Sequence, residues 1–422
     1  MIDFTPSESQ RTARKNAAAF ASHVLNGAYE SYTKLPNDGV SRFLSTKPLF
    51  ETAVRLGIIK SLVPPHLGGT GGTLLESSLV TEELFAVEPG VSLNLLTVSL
   101  GLMPLLFSPA DEDLKRELIA PFLTGEGAPL AAFQWSEPGG TANFLEKGGK
   151  GMQTTARKDD GKWIINGEKI WAGNGAGWDG RGADLQTIFC RNSDINTDDP
   201  ADSALLFAVP RAVLDENESE AFRVVEYKET PGFTVHCGPH VAFKDLRVPD
   251  KYVIASGANA ARIAETAFAA TGAMVGAMGV GIMRTAFQSA LKFAREKDQG
   301  GSVKVLERQS AADVLITLKT RIDTARLLSW KAAHAVDNGA KNAVELCSQA
   351  KIYGSETAVE GVAEAMRVIG IASWSNEYPF ARLVQEVAVL PIFDGGNQGV
   401  RRRVVQRAML DDGYDVFGES DQ

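Results

Sequence analysis

The side chains best suited to proton transfer are a carboxylate and a guanidinium seven positions apart, Asp394 and Arg401. They lie in the run FDGGNQGVR (393–401), where glycines follow the aspartate. Glycine permits backbone conformations closed to other residues and lets a ligand approach closely. A carboxylate held there beside a cation can act as a general base. The alternative is that Asp394 only caps a helix N-terminus, and the residue types alone favour neither interpretation.

Two other runs combine aromatic side chains, hydroxyls and turn glycines in a way that suits a flat, polar ring. They are FQWSEPGGTAN (133–143) and WAGN (171–174). Apolar and aromatic groups can stack on the faces of such a ring while backbone N–H groups bind its edge. The alternative interpretation of the first run is a β-bulge near a domain junction.

Several other site chemistries find no support. The loop HLGGTGG (66–72) lacks the GK[ST] of a phosphate-binding P-loop, so it predicts a surface turn. The five histidines show no metal-ligand spacing, and no GxSxG segment offers a serine nucleophile. The three cysteines lie far apart, which argues against a disulfide framework and for a reducing compartment. We therefore predict no metal and a cytoplasmic location.

The charge balance argues against a nucleic-acid partner. Lys and Arg number 43 against 52 Asp and Glu, a net charge of −9, whereas phosphate binding needs clustered basic residues. Residues 266–283 carry no charge, but half of them are Ala or Gly, so they predict a buried helix of a soluble protein. The start of the chain, MIDFTPSESQ, shows no signal-peptide pattern, and no membrane partner is predicted.

Three regions must position these residues. Residues 1–128 show helical patterning with a cap-like start at Ser7–Gln10. Residues 129–250 predict an antiparallel β domain, and residues 251–422, which contain only two of the 18 prolines, predict long helices. The predicted strands are Trp163–Ile165, Thr187–Cys190, Ala204–Val209, Phe222–Tyr227 and Val241–Val248.

Local signals refine this outline. Asn166-Gly167 in KWIINGEKIW predicts a two-residue type I′ hairpin turn. Apolar residues between Val314 and Leu328 recur at three- and four-residue spacing, as on one face of a helix. Small residues that include Gly272, Gly276 and Gly279 would let a neighbouring backbone come close, which suits a tight antiparallel bundle.

Taken together, the motifs resemble the acyl-CoA dehydrogenase superfamily over nearly the whole chain. SEPGGTAN (136–143) and GEKIWAGN (167–174) stand where that family has its two flavin segments, and NEYPFARLVQEV (376–387) is similar near the end. FDGGNQGVRRR (393–403) is more similar to the nitroalkane oxidase branch, which has Asp where the dehydrogenases have Glu. The resemblance implies an α+β fold with an N-terminal helical domain, a central antiparallel β domain and a C-terminal four-helix bundle. It also implies bound FAD and a homotetramer.

The resemblance also implies roles for individual residues. Asp394 matches the base that removes the acidic α-proton, Arg401 the arginine that supports it, and Thr271 a serine close to that aspartate. The residues implied in cofactor binding are Trp135, Ser136, Thr141, Trp171, Gly173, Gly300, Gly301, Ser302, Gln309, Arg367 and Gly370. Of these, the residues from 300 to 309 would meet the FAD pyrophosphate, often from a second subunit.

The function implied first is an oxidase of nitroalkane-like carbon acids. The products would be an aldehyde or ketone, nitrite and hydrogen peroxide, with O2 as the electron acceptor and a small molecule as the substrate. Gly173 stands where the superfamily usually has a Ser or Thr whose hydroxyl bonds flavin N5. That difference leaves open a desaturase or flavin monooxygenase acting on a larger metabolite, free or bound as a thioester. A non-catalytic flavin-binding protein is the third alternative.

Overall fold

Helices build the N-terminal part of the molecule. The computed structural model describes residues 5–415, and its first helix begins where Ser7 and Gln10 form the predicted capping box. The α-helices are α1 Glu8–Phe20, α2 Ala28–Tyr32, α3 Ser41–Ser45, α4 Lys47–Arg55, α5 Leu74–Phe85, α6 Pro89–Leu106 and α7 Glu112–Ile119. Helix α6 packs against the sheet and contributes directly to the candidate site.

The middle of the chain forms a mixed sheet. Its strands are β1 Ala131–Gln134, β2 Thr155–Asp159, β3 Lys162–Ile170, β4 Leu185–Asn192, β5 Ala204–Pro210, β6 Phe222–Glu226, β7 His240–Pro249 and β8 Val253–Ser256. The strand order is β6-β7-β3-β2-β4-β5-β8, with β1 beside β4, and a short helix α8 (Arg211–Asp215) follows β5. Most pairs are antiparallel as predicted, but β1 and β2 both run parallel to β4. The predicted antiparallel β domain is therefore confirmed as a mostly antiparallel sheet. The two parallel pairs could not be predicted, because short apolar runs carry no information about strand direction.

The predicted type I′ turn was assigned to the wrong dipeptide. Asn166-Gly167 lies inside β3, at a register shift against β7. The turn between β2 and β3 is Asp160-Gly161, whose φ angles of 45° and 73° are both positive, as a type I′ turn requires. A Cβ at Gly167 would lie only 2.5 Å from Cα of Thr154. The glycine after Asn166 therefore lies opposite a bulge in β7 and serves a close backbone approach, not a reversal of the chain.

Long helices follow the sheet, as predicted. They are α9 Gly257–Glu296, α10 Gln309–Asp337 and α11 Ala343–Ile369, with the shorter α12 Phe380–Val387 packed on α11 and α9 and α13 Arg402–Met409 beside α11. The apolar face of α10 is buried at Leu315, Leu318, Ile322 and Ala325. Helices α9 and α11 meet at small residues: a Cβ at Gly354 would lie 2.7 Å from Cα of Gly276. The predicted close packing of glycine-bearing helices is confirmed.

Two of the helices, α6 and α9, are long and apolar enough to cross a membrane by length and composition alone. Within their most apolar windows, 72% of α6 and 83% of α9 is buried inside the protein. Core helices of globular proteins have this character, since they are apolar on nearly every side. Both helices line the interface between the sheet and the C-terminal helices, where the site lies.

Candidate active site

A cavity of about 1250 Å³ opens where the sheet, α6 and the C-terminal helices meet. Its lining is mostly apolar, with leucines from α6 and methionines from α9. The members of this apolar wall include Leu93, Leu96, Leu100, Met103, Met274 and Met278. Charged side chains line another part of it, among them Arg262, Glu265, Arg403 and Arg407. A mostly apolar pocket with a few polar groups is the usual form of a small-molecule site.

Backbone geometry presents Asp394 to this cavity. Asp394 adopts φ = 52° and Gly395 φ = 74°, so two successive residues lie in the left-handed region. Aspartate tolerates that region better than most residues, and glycine occupies it without strain. A Cβ at Gly395 would lie 3.2 Å from Nε of Arg401, so the side chain of Arg401 also fills the space beside this turn. The turn is thus a specific conformation that places one carboxylate on the cavity wall.

The hydrogen-bonding partners of Asp394 come from two elements. The Thr271 hydroxyl, on α9, lies 2.9 and 2.8 Å from Oδ1 and Oδ2 of Asp394. Nη2 of Arg401 lies 3.2 Å from Oδ2 and donates to the Asp394 and Phe268 carbonyls at 2.7 Å each. The Thr271 hydroxyl also lies 3.1 Å from the Phe268 carbonyl, which is farther than either carboxylate oxygen, so its single proton is best placed to bond the carboxylate. Among residues 5–415 no backbone N–H bonds the carboxylate, so the helix-cap alternative is wrong.

The Asp394–Arg401 pair is shielded from solvent. The Asp394 side chain is 9% exposed and that of Arg401 3% exposed. Burial lowers the pKa of Arg401, and the Asp394 carboxylate opposes that shift. A guanidinium stays charged in proteins, so Arg401 places a cation beside the carboxylate in a poorly solvated site. Such a carboxylate can accept a proton from a substrate in the cavity without moving.

Buried charges hold the first aromatic segment in place. Trp135, Ser136 and Thr141 all line the cavity. The Lys169 ammonium, which is fully buried on β3, donates to the Trp135 carbonyl and to Glu137 Oε1, each at 3.0 Å. Burial raises the pKa of Glu137, but Lys169 and two backbone N–H donors outweigh it, and the net pKa is lowered. The segment is therefore held by a buried ion pair. The register of β1 against β4 is unbroken from Ala131 to Gln134, so the β-bulge alternative finds no support there.

The second segment turns sharply at the cavity wall. Trp171 and Asn174 adopt positive φ angles of 66° and 64°, and both Trp171 and Gly173 line the cavity. Asn174 is anchored by a bond from its Nδ2 to the Asn94 carbonyl on α6, at 3.0 Å. Trp171 is 55% exposed despite its size, so much of the indole is available for contact. An exposed tryptophan on a cavity wall is suited to stacking against a planar ligand.

A histidine takes the place that a side chain at position 173 would need. A Cβ at Gly173 would lie 2.4 and 2.6 Å from Cε1 and Nε2 of His236. The Nδ1 atom of His236 bonds Oδ1 of Asn94 at 2.7 Å, and Nδ2 of Asn94 donates to the Val235 carbonyl. Nδ1 is therefore the protonated nitrogen, and burial lowers the pKa of His236 to about 4, so the ring is neutral. The neutral His236 ring therefore fills the space beside Gly173 and leaves no room there for a larger side chain.

The remaining predicted cofactor residues lie elsewhere. Six residues are found outside the cavity, on the surface of the chain: Gly300, Gly301, Ser302, Gln309, Arg367 and Gly370. Gln309 donates to Asp313 at 2.7 Å, and Gly300 donates to Asp298 at 3.0 Å. The structure thus brings together Asp394, Arg401 and Thr271 with the five residues of the two aromatic segments, and it separates these from the second group.

Sequence reasoning missed four residues that support the site. Glu137 and Lys169 fix the first segment, and His236 packs on Gly173. Lys351, on α11, is fully buried near the Asp394 turn. Each lysine had a signal in the sequence. Lys169 falls on the same strand face as the apolar Trp163 and Ile165, and Lys351 follows Cys347 by four positions on a buried helix face. His236 lies in an irregular segment and offered no such signal.

Comparisons with known families agree with this arrangement. Residues 7–126 match the acyl-CoA dehydrogenase N-terminal domain, and residues 261–410 match the acyl-CoA dehydrogenase C-terminal domain. The chain is 44% identical to a nitroalkane oxidase of Podospora anserina, over 99% of this chain and 98% of the relative. It is 43% identical to a nitroalkane oxidase of Fusarium oxysporum, over 99% and 97% respectively.

Solved structures give the same picture. A solved structure of the Podospora anserina nitroalkane oxidase superposes with a TM-score of 0.96 at 44% identity, covering 99% of each chain. A nitroalkane oxidase mutant crystallised with 1-nitrohexane also gives 0.96, at 43% identity and 99% coverage of each chain. Butyryl-CoA dehydrogenase from Megasphaera elsdenii shares the fold, with a TM-score of 0.84 at 24% identity over 97% of this chain and 100% of that one.

Proposed function

The chain belongs to the acyl-CoA dehydrogenase family, in its nitroalkane oxidase branch, and from this premise we propose that it is an FAD-dependent nitroalkane oxidase. The observation that carries the proposal is the Asp394 carboxylate, held by Thr271 and Arg401 on the wall of a mostly apolar cavity. In the overall reaction, one molecule each of nitroalkane, O2 and water gives one each of aldehyde or ketone, nitrous acid and hydrogen peroxide. O2 as the electron acceptor is part of the proposal.

The residues around the cavity fit FAD. A tricyclic ring needs a wide cleft with aromatic surface and backbone donors, and the cavity offers the exposed face of Trp171 and the backbone of Gly173. Trp135, Ser136 and Thr141 would contact the ring from the β1 side. When bound, FAD supplies the two-electron acceptor for the substrate carbon that has lost its proton.

The chain's own residues perform the proton step. Asp394 accepts the α-proton of the nitroalkane at a carboxylate oxygen. Arg401 stabilises the carboxylate, and Thr271 directs its hydroxyl at the same oxygens, which fixes their orientation. The leucines and methionines of the cavity exclude water and accommodate an alkyl chain. We therefore propose neutral nitroalkanes with apolar chains as the substrate class.

Product analysis tests the proposal. Purified yellow protein is incubated with nitroethane in air, and acetaldehyde, nitrite and hydrogen peroxide are measured. Equal amounts of the three products are expected. Turnover of a saturated acyl-CoA with no reaction of nitroethane would instead indicate a dehydrogenase, and an oxygenated product without nitrite would indicate a monooxygenase. Reaction with none of these substrates would contradict an oxidase function.

The assembly and location of the protein are also proposals. We infer a homotetramer in which the segment 300–309 of one subunit contacts the FAD pyrophosphate of another. Support comes from the exposure of that segment and of the large apolar residues Ile371 and Trp374, 90% and 70% exposed. Light scattering should give four times the 45.2 kDa chain mass. A cytoplasmic location and the domain limits 128 and 250 remain predictions, which cell fractionation and limited proteolysis would test.

A further inference from the structure

A buried lysine lies beneath the turn that carries Asp394. Lys351 is on α11 and is 0% exposed. Its Nζ donates to the Leu390 carbonyl at 3.2 Å and to Asn397 Oδ1 at 3.0 Å. Leu390 and Asn397 stand on either side of Asp394 in the chain, so one ammonium contacts both ends of the turn.

Further hydrogen bonds tie the same turn to α11. Nδ2 of Asn397 donates to Ser355 Oγ at 3.0 Å and to Glu356 Oε1 at 3.1 Å. Ser355 Oγ in turn donates to the Lys351 carbonyl at 2.6 Å. The Asn397 side-chain oxygen accepts from Lys351, and its NH2 group donates to Ser355 and Glu356. These contacts fix the orientation of the amide, because oxygen and NH2 cannot exchange places without losing them. The turn thus rests on a polar network that is complete within the protein.

Charged groups on two elements act on Lys351. The charged groups around it are Asp394 and Arg401 on the turn side and Glu356 on its own helix. Burial lowers the pKa of Lys351 to about 7, Asp394 and Glu356 oppose the shift, and Arg401 adds to it. Within residues 5–415 no carboxylate lies within ion-pair distance of its Nζ. Burying a lysine without a close counter-ion costs stability, so stability alone does not explain its position.

We propose that Lys351 is a positioning residue for proton abstraction: it holds both ends of the Asp394 turn, and its positive charge stabilises the anionic form of Asp394. The kinetic part of this inference rests on the proposed nitroalkane oxidase function. Lys351 does not line the cavity, so it acts through the turn and not by touching the substrate.

Two variants separate the hydrogen bonds from the charge. Lys351→Met removes both, and Lys351→Gln keeps an N–H donor without the charge. Lys115→Met is the matched control, because Lys115 is also nearly buried but lies on α7 and pairs with Glu112. The FAD-loaded enzymes are compared with nitroethane over a range of pH, and kcat and KM are determined separately.

The inference predicts a loss in kcat for Lys351→Met, on the order of 100-fold, with little change in KM. Both Lys351 variants should move the acidic limb of the kcat/KM profile to higher pH, since a carboxylate without its cation is protonated more easily. Lys115→Met should behave as the unsubstituted enzyme. Unchanged kcat and an unchanged acidic limb in Lys351→Gln would overturn the inference, whether or not Lys351→Met folds.

Hydrogen exchange provides a test that does not depend on turnover. Amides in the turn, such as that of Asn397, which donates to the Pro391 carbonyl at 2.8 Å, should exchange faster in Lys351→Met than in Lys115→Met. If the unsubstituted protein does not oxidise nitroethane, the proposed function fails, but this measurement still decides whether Lys351 holds the turn. Equal exchange in the two variants would overturn the positioning role.

Discussion

At the scale of single residues, two side chains position the carboxylate of Asp394. Asp394 is held by the side chains of Thr271 and Arg401, and each contributes a different property. Arg401 contributes charge, whereas Thr271 contributes a directed hydroxyl. Removing either one should therefore have a distinct and measurable effect.

Replacement of Thr271 tests the role of the hydroxyl. Thr271→Ala should lower kcat/KM about 10- to 100-fold, because a hydrogen bond to a charged group is worth about 1.5–3 kcal/mol. Thr271→Ser keeps the hydroxyl and should retain most of the activity. Steady-state kinetics with nitroethane on both variants makes the comparison, and equal losses in the two would show that volume, not the hydroxyl, matters at this position.

The space at Gly173 gives a second prediction at this scale. Gly173→Ser should destabilise the protein by about 1–3 kcal/mol, because its Cβ would overlap the His236 ring. In a His236→Ala background the same substitution should cost less, with the contact to Thr97 Cγ2 at 2.8 Å remaining. Urea unfolding of the two single variants and the double variant measures this coupling. Strictly additive costs would mean that the two positions do not compete for space.

The candidate catalytic residues were easier to predict from the sequence than the residues that position them. Asp394 and Arg401 share one short, glycine-rich run, so their chemistry is visible in sequence order. The position of Thr271 beside Asp394, 123 residues away in the chain, came from family resemblance alone. His236 and Asn94 meet only because α6 crosses an irregular loop, and no local pattern encodes that contact.

At the scale of elements, the backbone of the Asp394 turn determines whether the carboxylate reaches the cavity. Gly395 has φ = 74°, and a side chain there would contact Arg401. Gly399, in the π-helical turn Asn397–Arg401 that follows, has open space around it and no positive φ. The two glycines are therefore a natural pair for comparison.

Gly395→Ala should cost about 1–2 kcal/mol of stability and most of the activity, because an L-residue is strained in the left-handed region. Gly399→Ala should change both quantities very little. Urea unfolding and nitroethane kinetics on the two variants are the measurements. Similar behaviour of the two variants would show that the left-handed geometry of the turn is not required.

The Lys169–Glu137 pair links β3 to the first aromatic segment and predicts a pH effect. Since the folded-state pKa of Glu137 is lowered, its contribution to stability is present above the unfolded-state pKa and is lost as the pH falls through the folded-state value. At neutral pH the unfolding free energy of Glu137→Gln should therefore be about 3–5 kcal/mol lower than that of the unsubstituted protein. As the pH falls, the unfolding free energy of the variant should decrease less steeply. Unfolding free energies at several pH values test this, and parallel curves for the two proteins would contradict it.

Elements were predicted unevenly for a physical reason. Helices α9 to α11 are long and periodic, so their existence and their contact faces could be read from the sequence. The turn between β2 and β3 could not, because Asn166-Gly167 and Asp160-Gly161 are both good turn dipeptides. The choice between them depends on pairing with β7, which is a long-range property.

At the scale of the whole molecule, the cavity exists only where three regions meet. Its lining comes from α6, from the sheet with its loops, and from the C-terminal helices. The order of helical, β and helical regions was predictable from proline distribution and periodicity. The convergence of Trp171 and Asp394 on one cavity was not predictable from those patterns, because it depends on tertiary packing.

An anaerobic experiment separates proton removal from oxidation. Asp394→Asn and the unsubstituted enzyme, both loaded with FAD, are mixed without oxygen with neutral nitroethane or with its preformed anion, and loss of the yellow colour is followed. If Asp394 is the base, the variant should be bleached very slowly by nitroethane but readily by the anion, which has already lost its proton. Rapid bleaching of the variant by neutral nitroethane would show that Asp394 is not the base.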